Sequence, residues 1–186
     1  AKMAQYDLVS KLTPYFDRHL AFPLLEFLQE KNLYGEESLN EAKLVLLEKT
    51  NMVDYASDIY MHLHKASEAP QYLKDRREEV VARLKHLQSV VEPLLKCLQN
   101  SSVVKNFRQD RSYNIKFLNE QFDVTTQHID LLYQYAKFQY ECGNYSLASE
   151  LLQSYKSLCP DSNRLIEVQW GKLASELLLN DMDRSK

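Results

Sequence analysis

The chain has 186 residues, 45% of them apolar and 26% charged, with a net charge of −3. That length supports one sizeable domain or a short helical solenoid, and the apolar share is ordinary for a chain folded in water. Acids and bases alternate along the sequence, so no global field selects nucleic acid or an anionic membrane, and no apolar run approaches the roughly 20 residues that span a bilayer.

Only 3 glycines and 5 prolines leave little material for hairpins or long loops, which predicts an all-α fold without a sheet. Cys97, Cys142 and Cys159 are odd in number and far apart. They read as free thiols in a reducing compartment. No signal peptide opens the sequence, and residues 3–186 read as one helical domain.

In chain order, a first helix is predicted over Tyr6 to Phe16, with Leu8, Val9, Leu12 and Phe16 at helical spacing and Asp7 at the positive end. Pro14 ends or bends it. The next helix runs from about Phe22 to Lys31, with Pro23 in its first turn. Leu20, Leu24, Phe27 and Leu28 are expected inside, and Leu25 widens that face. Beyond Gly35 a helix over Glu36 to Glu48 carries Leu39, Ala42, Lys43, Leu46 and Leu47 as its stripe. Thr50 or Asn51 caps Met52 to Leu63, whose inner face is Met52, Tyr55, Ala56, Ile59, Tyr60 and Leu63.

Pro70 opens the longest helix, to about Gln99. Leu73, Val80, Leu84, Leu87, Val91, Leu94 and Leu98 mark a seam spaced by threes and fours that Arg77 interrupts. About four heptads read better as a helix laid along its own chain than as half of a coiled-coil dimer. Pro93 should kink it. Asn100-Ser101-Ser102 reads as a linker before a helix from about Val103 to Gln121, with Val104, Phe107, Ile115 and Leu118 inward.

The organising stretch follows. Thr125 or Thr126 caps a helix that turns at Gly143-Asn144 into a second helix, which stops at Pro160. Ala136 and Ala148 lack bulk where the two must touch. Counted from Ile129, the Ala, Gly, Tyr, Ala and Pro positions match a tetratricopeptide-type repeat of about 34 residues, with Gln139 departing where an aromatic is usual. Such pairs bury their faces only by stacking, so a helical-repeat solenoid, tetratricopeptide- or HEAT-like, is predicted. A last helix, capped by Asp161 or Ser162, carries Leu165, Ile166, Trp170, Leu173, Ala174, Leu177 and Leu178. It reads as the first half of a further pair, and the chain as the N-terminal part of a longer subunit.

Chemistry is sparse. There is no phosphate loop, HExxH or CxxC, so no cofactor or metal is expected. His62 and His64 are two apart on a helix and point to nearly opposite sides. Cys142 sits at a helix end where the dipole disfavours a thiolate, and His128 lies about four turns away. Two surfaces remain. The first helix of the repeat presents Asp130, Tyr133, Gln134, Lys137, Tyr140 and Glu141, aromatics alternating with charge, as a groove for a peptide or partner helix. The plainer reading packs Tyr133 and Tyr140 on the preceding helix. Arg76, Arg77, Arg83 and Lys85, with His86, form either a solvated face or an RNA-facing stripe.

Several strings carry a resemblance. They are Tyr6-Asp7-Leu8, Asp17-Arg18-His19-Leu20 with Phe22-Pro23, Leu25-Glu26-Phe27-Leu28, and Asn51-Met52-Val53-Asp54-Tyr55-Ala56. Further on stand Tyr135-Ala136-Lys137-Phe138-Gln139-Tyr140-Glu141-Cys142-Gly143-Asn144-Tyr145-Ser146 and Trp170-Gly171-Lys172-Leu173-Ala174-Ser175-Glu176. In this order they resemble the N-terminal region of the e-subunit family of eukaryotic translation initiation factor 3. The resemblance implies a cytoplasmic, non-enzymatic scaffold without cofactor, small-molecule substrate or membrane. It implies helical repeats leading into a C-terminal winged-helix scaffold domain outside this chain. The implied partners are other subunits of translation initiation factor 3, including its d subunit, and the small ribosomal subunit with mRNA through the complex. The alternative is a helical-repeat, peptide-binding subunit of a related assembly of the proteasome-lid or signalosome type.

Overall fold

The computed structural model describes residues 15–32, 34–159 and 161–184. The expectations placed on residues 6–14 and on Pro160 lie outside them. Among the described residues the chain forms nine helices and no strand. They are α1 (Ala21–Glu30), α2 (Glu36–Leu47), α3 (Val53–His64), α4 (Gln71–Gln99), the single turn α5 (Ser101–Val104), α6 (Arg111–Phe122), α7 (Thr126–Glu141), α8 (Tyr145–Lys156) and α9 (Ser162–Arg184). The chain divides into two units, residues 1–77 and 78–186, with the boundary inside α4.

In the first unit, α1 packs on α2 and α2 on α3. Ala21, Phe22, Leu25, Leu39, Leu46, Leu47, Val53, Ala56 and Leu73 supply the core. The Phe22 ring meets Tyr55 edge-on at 6.2 Å. Lys43 is buried, as its place in the stripe predicts, and its ammonium donates to Gln29 Oε1 at 2.7 Å. Thr50 closes the turn into α3 by accepting from the Met52 N–H and donating to Leu47 O. α1 corrects the expected face. Leu25 is fully buried, whereas Leu20, Leu24 and Phe27 are exposed, Phe27 to 50%. The helix is apolar on two sides, and the pair Ala21–Phe22 turns its inward face toward Leu25 rather than Leu24.

The second unit is built around one cluster. The seam Leu87, Val91, Leu94 and Cys97 of α4 joins Leu118, Ile129, Leu132, Tyr135, Ala136, Leu151, Leu152, Tyr155 and Val168. The three-and-four spacing of α4 therefore meets helices of the same chain, and α4 continues through Pro93. The helix expected over Val103 to Gln121 is two pieces. Asn100 caps the short α5, accepting from the Ser102 N–H, and Asp110 starts α6 afresh by accepting from the N–H groups of Ser112 and Tyr113. Asn114 pins the intervening loop: fully buried, it donates to Arg108 O and Ser157 O and accepts from the Arg108 N–H at 2.7–3.0 Å.

α7, α8 and α9 pack in succession. Gly143 takes φ 81°, where a side chain would be strained. The N–H groups of Gly143 and Asn144 then close back on Tyr140 O and Gln139 O, both at 2.9 Å, which ends α7 in a Schellman turn. Gln139 is buried here because its amide oxygen accepts from Asn144 Nδ2 at 3.1 Å. The turn thus uses a polar side chain where the repeat pattern expects a ring. Between α8 and α9, small residues permit close approach: a Cβ on Gly171 would stand 3.1 Å from Leu152 Cδ1, and Ser175 is fully buried. α9 also corrects an expectation. Val168, Ser175 and Leu178 face inward, while Ile166, Trp170, Leu173 and Leu177 are exposed, Trp170 to 67%.

Candidate protein-interaction surface

The predicted groove residues all lie on α7, and the structure sorts them. Asp130 and Tyr133 are taken up by the start of α9. Arg164 pairs with the Asp130 carboxylate at 2.6 Å and stands over the Tyr133 ring at 5.6 Å. The Tyr133 hydroxyl donates to Glu167 Oε2 at 3.0 Å. Burial, then that bond, push the Tyr133 phenol above its ordinary range. Both contacts join residues 34 positions apart, the length of one repeat.

Both rings meet rings of the following helix. Tyr133 lies against Tyr155 at 5.3 Å, and Tyr140 meets Tyr145 edge-on at 5.5 Å. Tyr140 and Glu141 are half-buried. Asp130, Gln134 and Lys137 are exposed, and with Asp130 paired to Arg164, a neutral amide and a cation are the outward-facing members without that pairing. Spacing could not have found Arg164 and Glu167 without the repeat length, which adds 34 to Asp130 and Tyr133.

The basic stripe on α4 also divides. The Arg76 guanidinium donates to Glu48 O and Thr50 O, and Arg77 pairs with Asp54 at 2.6 Å. These two cations fasten the start of α4 to the turn ahead of α3 and to the first turn of α3 itself. Arg83 and Lys85 are exposed.

The thiol reading does not assemble. Cys142 is half-buried at the C-terminal end of α7, and burial, then the Glu141 charge, push its thiol up to about 11. His128 is at the opposite end of the same helix, about 21 Å along the axis, where its Nδ1 accepts from the Thr125 N–H at 3.0 Å. His62 meets Glu36 and His64 lies on the Tyr60 ring, so the two do diverge. Among the described residues no three His, Cys, Asp or Glu side chains converge as a metal site, and no helix is long and apolar enough to cross a membrane.

Comparison with known proteins gives a family. Residues 7–139 match the family described as eIF3 subunit 6 N terminal domain. The E subunit of eukaryotic translation initiation factor 3 from Arabidopsis thaliana is 48% identical over 178 residues, which is 96% of this chain and 40% of that protein. The E subunit from Emericella nidulans is 41% identical over 179 residues, again 96% and 40%. That from Aspergillus niger is 41% identical, covering 96% of this chain and 39% of its own length. The chain thus spans about two fifths of the length of these curated relatives.

Proposed function

Because the chain belongs to the eIF3 subunit 6 N-terminal domain family, we propose that it is a non-catalytic scaffold of translation initiation factor 3, acting in the cytoplasm. Its packed helices present surfaces that orient partner subunits on the small ribosomal subunit. The observation that carries this reading is the 34-residue register of the Asp130–Arg164 and Tyr133–Glu167 contacts. That register supports a solenoid reading, in which the first helices of successive pairs line one face. A surface fixed by a buried core loses little ordering freedom on docking, so partners bind with less entropic opposition. Gln134 and Lys137 are the groove positions left to a partner. Other subunits, including the d subunit, are the partners in direct contact, and mRNA is approached through the complex. Arg83 and Lys85 are the cations left for any RNA contact.

The test is a pull-down of the tagged chain from cytoplasmic extract, with bound proteins identified by mass spectrometry before and after nuclease. Recovery of initiation-factor subunits that survives nuclease supports direct docking. Recovery that vanishes with RNA, or no recovery of those subunits, overturns it.

A further inference from the structure

The loop between α5 and α6, together with α6 itself, gathers cations beside partly exposed rings. From Ser101 to Leu118 the sequence carries four cations, Lys105, Arg108, Arg111 and Lys116, against one acid, Asp110. The Asp110 carboxylate is engaged by the N–H groups of Ser112 and Tyr113, and Lys116 faces Glu120. Among the described residues no carboxylate pairs with Lys105, Arg108 or Arg111. Lys105 and Arg108 are exposed and Arg111 partly so.

The rings stand against these cations in a fixed order. The Arg108 guanidinium lies over the Tyr113 ring, 4.0 Å from its centre. Tyr113 is parallel to Phe117 within 7°, their centres 6.3 Å apart. Phe117 meets Phe122 edge-on at 6.0 Å, and Phe122 is 41% exposed. The buried Asn114 holds Arg108 in place, accepting from its N–H and donating to its carbonyl. Guanidinium and rings are therefore oriented before a ligand arrives, which lowers the ordering cost of binding.

Unpaired cations attract phosphate and carboxylate alike, and the rings beside them discriminate. Unpaired bases stack on aromatic rings and guanidinium planes whatever their sequence, while their phosphates rest on neighbouring cations. An acidic peptide matches the charge but brings no flat face, and a duplex keeps its bases stacked on one another and offers its backbone. We propose that the α5–α6 loop and α6 bind single-stranded RNA, with bases stacked on Phe122 and the Arg108 guanidinium and phosphates held by Lys105 and Arg111. None of these residues belongs to the α4 stripe. The inference stands apart from the scaffold reading: a chain that docks no subunit would still bind RNA here.

The test is fluorescence anisotropy of a labelled 12-nucleotide oligouridylate titrated with the purified full-length protein over a range of salt. Saturable binding is expected. Lys105→Gln with Arg111→Gln should weaken it at least about tenfold and lower the slope of log affinity against log salt by about 0.7 per cation removed. Phe122→Leu keeps an apolar side chain but removes the ring, and should weaken binding at least about fivefold with the thermal midpoint unchanged. Lys49→Gln, the same loss of charge in the first unit, should leave the affinity unaltered. Absence of binding overturns the proposal. So does an equal loss with Lys49→Gln, which makes the attraction a general one, or full affinity in Phe122→Leu, which removes the stacking. Equal affinity for an RNA duplex of the same length, or displacement by polyglutamate as readily as by unlabelled RNA, overturns it as well, the latter assigning the surface to an acidic protein.

Discussion

Buried polar side chains decide the local structure of the second unit. Asn114 holds two backbone groups of Arg108, in a loop that contains no glycine or proline, and the Ser157 carbonyl at the end of α8. Asn114→Ala leaves those groups buried without partners and should lower stability by about 2–3 kcal/mol in denaturant titration. The Tyr155 hydroxyl is the opposite case. Its oxygen is buried and, among the described residues, finds no partner in hydrogen-bond geometry, although Arg164 and Cys159 lie near enough to act on it; its phenol is pushed up to about 12, first by burial. Tyr155→Phe keeps the ring and should leave the thermal midpoint unchanged or raise it; a clear drop would show that the hydroxyl is bound after all. Cys142 gives a pH signature. Its thiol is raised from an ordinary 9.0 to about 11 in the folded chain, so the folded state holds the proton more tightly. The associated stability is complete below about pH 9 and is lost as the pH rises toward 11. Cys142→Ala should flatten the stability profile across that window and nowhere else. These residues were hard to read from sequence for one reason: Asn and Gln at helical spacing normally mark the solvent side, and only the backbone they meet turns them inward. Lys43 was legible because its apolar neighbours Leu39, Leu46 and Leu47 fix which side of α2 is buried.

At the scale of elements, periodicity located α2, α3, α4, α7 and α8 to within a residue or two, since each has a single apolar face and a terminal signal. It placed α1 and the start of α9 as well, but misassigned their buried faces, where apolar residues occupy both sides and sequence alone cannot say which side has a neighbour. It also joined α5 to α6, because Asp110 is a capping signal without a preceding Gly or Pro to announce it. The α8–α9 contact rests on small residues. Gly171→Leu adds bulk where a Cβ already meets Leu152, and should cost about 1–3 kcal/mol by overpacking. Thermal unfolding checks this, and an unchanged midpoint would mean that α9 can lift away freely.

For the whole molecule, each unit has its own buried cluster, and the candidate surface is what these leave outside. Of the ten residues singled out in the sequence, Asp130, Tyr133, Arg76 and Arg77 are used to hold the chain together. Their partners lie on other elements and were not visible until the neighbouring helices were placed. Lys137 remains exposed on the groove helix. Lys137→Glu should weaken binding of partner subunits about tenfold, by replacing attraction with like-charge repulsion at the contact, while the melting temperature stays put. Equal affinity for both forms would remove the groove from the account.

The most direct measurement is assembly of translation initiation factor 3 from purified subunits, with this chain substituted for its full-length counterpart after nuclease treatment. Native mass spectrometry would then read which subunits it retains. The scaffold account predicts a stable subcomplex containing one copy of the chain bound to at least one other subunit. A chain that stays free while the remaining subunits assemble without it would contradict that account.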